Sequence, residues 1–278
     1  MRSTKVMKRV APFAALLCSI STASLAAPVC TLLVDADSGA VLRQDGRCDQ
    51  RNSPASTFKV ALSVMGYDAG ILTDAHSPVW PYREEYKAWR ENWKTNVDPA
   101  SWMRDSVVWY SWGITRALGA QRLQQYVDLF SYGNRDLSGN AGKDDGLTHA
   151  WLSASLQISP IEEVVFLRRL LKLQLPASAP AQEKAIAIIP RFAAADGWTV
   201  QGKTGAGFQR GQDGVLDEDR QFGWFVGWAI KGDRRVVFAR LTKDETKVAE
   251  SAGIRTRDLF LAELPALLGN FAGAQNPN

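Results

Sequence analysis

The stretch that most constrains the fold is a polar loop followed at once by an almost wholly apolar helix. The loop covers residues 53–59 (SPASTFK), and the apolar run continues from Val60 to Tyr67. A helix that is apolar on nearly every side is stable only when it is buried in the middle of a domain. Ser56 lies where this helix begins, and Lys59 follows one turn later on the same face. The sequence therefore predicts a hydroxyl and an amine presented together at the start of a buried helix.

The position of the lysine separates an ordinary helix start from a catalytic one. A solvated lysine that follows an N-cap serine would be a common structural feature. The apolar residues around Lys59 argue against this interpretation, because a buried ammonium group is costly unless it has a partner or loses its proton. A neutral amine can instead act as a base towards Ser56, which would then be a nucleophile. The two residues are therefore a candidate catalytic pair.

The N-terminus has the features of a secretory signal peptide. Basic residues within the first nine positions precede an apolar stretch at 10–18, and Ser24-Leu25-Ala26 has the small-x-small pattern of a cleavage site. The apolar stretch is too short to be a comfortable membrane span. We predict that residues 1–26 are removed after Ala26 and that a soluble chain without a membrane span is exported to the periplasm.

The net charge belongs to the signal peptide. The formal charge of +4 comes from the basic residues near the N-terminus, since no acid occurs before Asp35 and the rest of the chain has 29 basic and 29 acidic residues. A neutral exported chain without a basic patch gives no reason to expect a nucleic-acid partner. The two histidines and few cysteines form no dense cluster of ligands, so we predict no metal site.

The two cysteines of the exported chain flank a predicted β-hairpin. Residues 31–43 are typical of a strand, a tight turn at Asp37-Ser38-Gly39 and a second strand. Cys30 and Cys48 lie about equally far from the turn, so they should face each other across the hairpin. An oxidising compartment then favours a disulfide between them. Two reduced cysteines in the core are the alternative.

The rest of the chain divides into a helical middle and a strand-rich C-terminal part. Most of the tryptophans between Trp80 and Trp112 are expected to pack helices, with Trp102 and Met103 the candidates for lining a cleft. Strands at both ends of the chain around a helical middle imply an α/β fold. The expected elements are helices at 114–130, 160–173 and 254–268, strands at 198–205, 222–230 and 235–241, and a polar turn over 208–220.

Several short motifs connect these elements to a known family. Ser-x-x-Lys and Lys-Thr-Gly occur together in serine β-lactamases and penicillin-binding proteins. Here Ser56-Thr57-Phe58-Lys59 opens a helix and Lys203-Thr204-Gly205 ends a strand, with Ser106-Val107-Val108, Tyr132-Gly133-Asn134 and Trp151-Leu152 between them. With these motifs in this order, the chain resembles the class D β-lactamases over its whole length. The Ser-Asp-Asn motif of class A is not present at Ser106.

The resemblance implies a fold and a domain organisation. The fold is that of β-lactamases and transpeptidases, an antiparallel sheet flanked by helices with an all-helical second lobe. A single catalytic domain would cover residues 27–278, with the α/β lobe at about 27–60 and 185–278 and the helical lobe at about 61–184. Relatives of this kind occur as monomers or homodimers, and both states stay open here.

The resemblance also implies how the catalytic pair works. Ser56 would attack the lactam carbonyl and become acylated. Lys59 would be modified to a carbamate by carbon dioxide or bicarbonate, and would act as general base for acylation and deacylation. No other cofactor is expected. The oxyanion would be bound by the backbone N–H groups of Ser56 and Ala206.

The remaining site residues receive supporting roles from the same resemblance. Lys203 would orient Ser106, and Thr204 of the Lys-Thr-Gly motif would bind the substrate carboxylate together with an arginine of the last helix. Arg255 fits that placement better than Arg257. The other expected contributions are a ring N–H from Trp151 to the carbamate, apolar walls from Val108 and Leu152, and positions along the cleft for Tyr132 and Gly205.

The expected activity is hydrolysis of β-lactams, penicillins foremost. One alternative is the extracellular domain of a β-lactam sensor, which is acylated without turnover. The other is a penicillin-binding transpeptidase that acts on cell-wall peptide. Because both kinds of protein usually carry membrane-spanning or additional parts, which we do not expect here, hydrolysis is the preferred prediction. Steady turnover of a chromogenic cephalosporin would indicate a hydrolase, and a single stoichiometric burst would indicate either alternative.

Overall fold

A computed structural model describes residues 28–211 and 213–269, so the predicted signal peptide lies outside the described residues. A six-stranded antiparallel sheet forms the centre, with strand order β2-β1-β6-β5-β4-β3. Strands from the two ends of the chain meet where β1 pairs with β6, with Leu32 opposite Ala239. This is the antiparallel sheet that the resemblance implied. The strands are β1 Pro28–Asp35, β2 Val41–Gly46, β3 Arg191–Ala193, β4 Thr199–Arg210, β5 Leu216–Lys231 and β6 Arg234–Lys243.

Helices cover both faces of the sheet. Six of them come from the middle of the chain and the last follows β6. Among the described residues, none has both the length and the apolar character that crossing a membrane requires. The helices are α1 Phe58–Asp68, α2 Pro99–Asp105, α3 Val108–Phe130, α4 Gly146–His149, α5 Pro160–Leu171, α6 Ala179–Ile188 and α7 Ala252–Gly269.

Helix α1 is buried along almost its whole length, as its sequence predicts. Every residue from Phe58 to Tyr67 is buried. The core around α1 joins the helical lobe to one face of the sheet. A second core lies between the sheet and α7, where the ring centroids of Phe238 and Phe260 are 4.1 Å apart. Lys59 therefore lies within the first of these cores, whereas Ser56, just before α1, is partly exposed.

Helix α5 begins at the residues that the sequence indicates. The Ser159 hydroxyl accepts a hydrogen bond from the backbone N–H of Glu162 at 3.2 Å, and the Glu162 carboxylate accepts one from the backbone N–H of Ser159 at 2.8 Å. Pro160 occupies the first helical position, where it loses no hydrogen bond. This reciprocal cap sets the start of α5, and it places the next residue, Glu163, on the buried face.

The β4–β5 hairpin is longer than predicted. The expected polar turn over 208–220 is a turn of only 211–215, because β4 continues to Arg210, which pairs with Leu216. A bulge lies between Phe208 and Gln209. This end of the hairpin extends beyond the core and is largely exposed, so its residues are polar and lack the alternation that predicts a strand.

Two further predictions concern the hairpin at the N-terminus and the aromatic region. The Cys30–Cys48 disulfide is present, with its Cα atoms 5.0 Å apart and Cys48 just beyond the end of β2. Trp102 and Met103 do not line a cleft. Both are fully buried, and the indole N–H of Trp102 donates to the Ser111 hydroxyl at 2.9 Å.

Candidate active site

The nucleophile turn, residues 55–57, is a short 3₁₀ turn that leads directly into α1. Its preceding loop is anchored on two sides. The Ser53 hydroxyl donates to the carbonyl of Trp151 at 2.7 Å, and the Trp224 indole N–H donates to the carbonyl of Ser53 at 2.9 Å. Ser56 is partly exposed, whereas its neighbours in the turn are buried. The loop therefore holds one hydroxyl at the protein surface on a rigid base.

Strand β4 passes immediately beside the nucleophile turn. A Cβ atom at Gly205 would lie 2.9 Å from the carbonyl oxygen of Pro54 and 3.1 Å from a Thr57 side-chain carbon. Such distances leave no room for a side chain, so glycine allows the strand its close approach. Thr204 and Ala206 on either side are partly exposed. The Lys-Thr-Gly motif and the nucleophile turn thus form one continuous surface.

Lys59 is enclosed by the core beneath Ser56. It is 1 % exposed, and its Nζ lies 3.1 Å from Ser56 Oγ. Burial, together with the positive charges of Lys203 and Arg90, lowers the pKa of Lys59 well below its ordinary value. None of the described acidic side chains forms an ion pair with it. Burial without an acidic partner therefore favours the neutral amine form of Lys59 next to the Ser56 hydroxyl.

Lys203 forms a second amine–hydroxyl pair. Its Nζ donates to Ser106 Oγ at 2.7 Å and to the Thr204 carbonyl at 3.0 Å. Burial lowers the pKa of Lys203 to about 7, with contributions from Arg90 and Arg257. Ser106 ends α2 in the left-handed region, with φ 63°. Backbone of this kind is uncommon outside glycine and is concentrated at functional sites.

Trp151 completes the floor of the site. Its indole is fully buried, with its ring centroid 5.3 Å from that of Phe58. Within the part of the chain that the structure describes, the indole Nε1 has no hydrogen-bond partner. A buried donor without an acceptor is rare and unfavourable, so this N–H marks a position where an acceptor is needed. Val108 is buried nearby in the same core, and Leu152 is partly exposed.

Tyr132 lies behind the nucleophile turn rather than along the cleft. It is 1 % exposed, and its ring packs edge-on against Phe58 and Phe166 at centroid distances of 5.4 and 5.2 Å. Its hydroxyl donates to Glu163 Oε1 at 3.0 Å. This differs from the expected substrate contact. Tyr132 thus packs between Phe58 of α1 and Phe166 of α5. These residues lie far apart in the chain, so the sequence pattern does not show that they meet.

Asn134, the last residue of the same motif, supports the loop that carries Trp151. Its Nδ2 donates to the Ser155 carbonyl at 2.8 Å, and its Oδ1 accepts from the backbone N–H of Gln157 at 2.9 Å. The Tyr-Gly-Asn motif therefore stabilises the loop that carries Trp151.

The two histidines have hydrogen-bond partners other than Ser56 and Ser106. His76 Nδ1 lies 2.7 Å from Asp98 Oδ2, and His149 Nδ1 lies 2.8 Å from the Thr148 hydroxyl. Across residues 28–211 and 213–269, no three His, Cys, Asp or Glu side chains are grouped to hold a metal ion. The amines of Lys59 and Lys203 are therefore the bases that lie beside serine hydroxyls.

Comparison with known proteins agrees with this geometry. The family model of the penicillin binding protein transpeptidase domain matches residues 29–264. Beta-lactamase OXA-9 of Klebsiella pneumoniae is 46 % identical over 242 residues, which are 87 % of this chain and 88 % of the relative. Beta-lactamase OXA-1 of Escherichia coli is 37 % identical over 212 residues, 75 % and 74 % of the two chains. The crystal structure of the OXA-427 class D β-lactamase superimposes with a TM-score of 0.81 at 45 % identity, over 87 % of this chain and 99 % of that one.

The chain belongs to the class D β-lactamases. It is thus a serine β-lactamase, and the sensor alternative has less support, because the relatives just described are β-lactamases matched over most of their length.

The two arginines of α7 occupy different environments in this class D β-lactamase. Arg255 Nη2 donates to Asp244 Oδ2 at 2.5 Å, and the Asp244 side chain is only 2 % exposed. Arg257 lies with its Cζ 5.2 Å from the Phe192 ring centroid, and its charge contributes to the lowered pKa of Lys203. Both arginines are thus held in ion pairs, Arg255 with the buried Asp244 and Arg257 with the exposed Asp258, whose Oδ1 lies 2.7 Å from Arg257 Nε.

Two charged residues near the site were not predicted. Arg90, with its Cζ 5.6 Å from the Trp93 ring centroid, lowers the pKa of both site lysines. Nothing in its local sequence distinguishes it from the solvated charges around it. The sequence does indicate that Glu163 is buried, because it lies four residues before Leu167 on the apolar face of α5.

Proposed function

We propose that this enzyme hydrolyses β-lactam antibiotics through an acyl-enzyme on Ser56, with N-carboxylated Lys59 as general base in both half-reactions. The observation that carries the proposal is the buried, unpaired amine of Lys59, 3.1 Å from the Ser56 hydroxyl, in the same core as an indole N–H without an acceptor.

The residues around Lys59 fit a carbamate. A free lysine is neutral in roughly one molecule in a few thousand at pH 7, but burial makes the neutral amine, which can add carbon dioxide, a major species. The indole N–H of Trp151 then has an anionic acceptor to bond, which satisfies the buried donor. When present, the carbamate supplies a base that can take the proton of Ser56 Oγ or of a hydrolytic water.

The other residues bind the substrate and handle protons around this reaction. As Ser56 Oγ bonds to the lactam carbonyl carbon, the C–N bond breaks and the nitrogen needs a proton. The Ser106 hydroxyl, held by Lys203 at 2.7 Å, is available as that donor. The backbone N–H groups of Ser56, at the start of the α1 segment, and of Ala206 on β4 are suited to the developing oxyanion.

Recognition of the substrate carboxylate is assigned to Thr204 and an arginine of α7. Because Asp244 holds Arg255, we favour Arg257, whose charge reaches Lys203. Gly205 contributes the close approach of β4, and Val108 with Leu152 contributes apolar walls. Penicillins are the expected substrates.

Export to the periplasm after cleavage at Ala26, and a monomeric or homodimeric state, remain predictions of the sequence.

The carbamate is testable with isotope-labelled bicarbonate. The wild type, supplied with ¹³C-bicarbonate, should show a protein-bound carbamate resonance that is absent from Lys59→Ala. Turnover of benzylpenicillin should fall in carbon-dioxide-depleted, mildly acidic buffer and recover when bicarbonate is added. Trp151→Phe keeps the ring but lacks the N–H, so it should need about tenfold or more bicarbonate for half-maximal activity.

Two outcomes would contradict the assignment. Full turnover by Lys59→Ala would remove the lysine from both steps. A Trp151→Phe enzyme with wild-type bicarbonate dependence would show that the indole N–H has another purpose. A stoichiometric burst without turnover in the wild type would instead favour the sensor alternative.

A further inference from the structure

A carboxyl group that the mechanism does not use lies directly behind the nucleophile turn. Glu163, on the first turn of α5, is 1 % exposed. Its Oε1 lies 2.8 Å from Thr57 Oγ1 and 3.0 Å from the Tyr132 hydroxyl. Thr57 is the covalent neighbour of Ser56 and the last residue of the nucleophile turn. A change at Glu163 therefore acts within one residue of the nucleophile.

The Thr57 hydroxyl has one proton and two oxygens within reach. Its Oγ1 is 2.8 Å from the Pro54 carbonyl as well as 2.8 Å from Glu163. When Glu163 is protonated, its own proton can donate to Thr57 Oγ1, and Thr57 then donates to Pro54. The Tyr132 hydroxyl still donates to the carboxyl group. In this arrangement the hydroxyl protons of Glu163, Thr57 and Tyr132 each have an acceptor.

Ionisation changes this arrangement. A carboxylate only accepts hydrogen bonds, so Thr57 and Tyr132 both turn their protons towards it. The Pro54 carbonyl then keeps a single bond within the turn, from the backbone N–H of Thr57 at 3.1 Å. The turn that carries Ser56 loses its side-chain brace as a result.

The surroundings of Glu163 make this change accessible near neutral pH. Burial raises the pKa of Glu163 to about 7, and the bonds from Thr57 and Tyr132 oppose the rise. From its own helix Glu162 adds a negative charge, and Glu162 is itself paired with Arg51. Lys59 on α1 is bonded to Ser56 rather than to the carboxyl group. The strands that pack against α5 contribute apolar residues to the shared core, among them Leu32, Val34, Val237, Ala239 and Leu241.

We propose that Glu163 is a positioning residue for Ser56, whose protonated form braces the nucleophile turn through Thr57 and whose ionised form releases it. The proposal rests on the assignment of Ser56 as the nucleophile. It predicts that part of the loss of activity above neutral pH comes from Glu163, in addition to any loss from deprotonation of Lys203.

The test compares Glu163→Gln with wild type over a pH series. Glutamine is neutral and does not titrate, and with its Nε2 in the place of Glu163 Oε1 it can donate one hydrogen to Thr57 Oγ1 and the other to the Tyr132 oxygen. At about pH 6 the two enzymes should have similar kcat/KM. At about pH 8.5 the variant should be faster by about two- to tenfold, the value of one hydrogen bond. Glu183→Gln, at an exposed glutamate of α6, is the control, and its kcat/KM relative to wild type should be the same at both pH values.

Two further measurements keep the proposal falsifiable. Infrared difference spectra of the resting protein, wild type minus Glu163→Gln, should show a carboxylic acid band that disappears as the pH rises through about 7. In Thr57→Val the same band should titrate, but the rate should no longer follow it, because the brace is missing. If Glu163 only stabilised the fold, Thr57→Val would not make the pH dependence of the rate differ from that of the band.

Parallel pH profiles of wild type and Glu163→Gln would overturn the proposal, as would a folded Glu163→Gln that is inactive at every pH. If Glu163→Gln does not fold, a rate in Thr57→Val that still follows the wild-type profile has the same consequence. Failure of the proposed function is distinct, since it would appear as turnover by Ser56→Ala whatever Glu163 does.

Discussion

Burial acts in opposite directions on the three ionisable side chains around Ser56. It lowers the pKa values of Lys59 and Lys203 and raises that of Glu163, because a low-dielectric interior disfavours the charged form of each. The site can therefore approach neutrality at neutral pH although it is built from two amines and an acid. Lys59 must be a neutral amine before it can add carbon dioxide and act as a base. Burial favours that form and so makes Lys59 reactive.

The two arginines of α7 should respond differently to substitution. Arg257→Gln removes the charge that we favour for the substrate carboxylate, so it should raise KM for benzylpenicillin about tenfold or more. Stability should change little, because the ion pair that Arg257 forms with Asp258 is largely exposed. It should also raise the pKa of Lys203, which Arg257 lowers, and so extend the Lys203-dependent limb of the rate profile to higher pH. Steady-state kinetics over a pH series measure both effects.

Arg255→Gln provides the comparison. It leaves Asp244 buried without its partner, which should cost about 3 kcal/mol or more in the free energy of unfolding. Thermal melting measures this loss. The opposite pattern, a stable Arg255→Gln with a raised KM and an unaffected Arg257→Gln, would assign the substrate carboxylate to Arg255.

The motif residues of the site could be predicted from the sequence, whereas their surroundings could not. Ser56 and Lys59 are one helical turn apart, so local geometry is enough to bring them together. The contact of Tyr132 with Glu163 and that of Arg255 with Asp244 depend on tertiary packing. Neither a motif nor a period of 3.6 residues records such contacts, and for that reason Tyr132 was expected in the cleft.

Helices and strands were predicted well where one of their faces is buried, and poorly where neither face is buried. Helix α5 combines a reciprocal cap with an apolar face, and its observed start at Pro160 agrees with its sequence. The outer part of the β4–β5 hairpin has neither signal, and its pairing follows from the strands that precede it. Backbone hydrogen bonds can continue a hairpin whose side chains give no pattern.

The β1–β2 hairpin allows a prediction at the level of one element. Its disulfide spans 18 positions, so replacing both cysteines in Cys30→Ala/Cys48→Ala should lower the free energy of unfolding by about 3 kcal/mol in the chain-entropy model. For a chain of this size the melting temperature should fall by about 6–12 °C. Thermal unfolding of oxidised wild type and of the double variant measures the difference. Two free thiols in unreduced, denatured wild type would contradict it.

At the level of the whole molecule, the active site lowers the stability of the fold. Lys203 has an ordinary pKa of 10.5 and a pKa of about 7 in the folded protein. Below pH 7 the folded state must hold a buried ammonium, so the full cost of about 5 kcal/mol is present. As the pH rises from about 7 to 10.5, the unfolded state loses the proton that the folded state has already lost, and the cost disappears.

Lys203→Met should therefore be more stable than wild type at about pH 6.5, by about 2–4 kcal/mol after the lost hydrogen bond to Ser106 is allowed for. The gain should shrink as the pH rises towards about 10. Denaturant unfolding at a series of pH values measures it, with exposed Lys231→Met as the control that should show no such gain. A pH-independent difference would mean that packing, not the buried charge, sets the effect. Because the same substitution removes the donor to Ser106, stability and turnover should change in opposite directions in one variant.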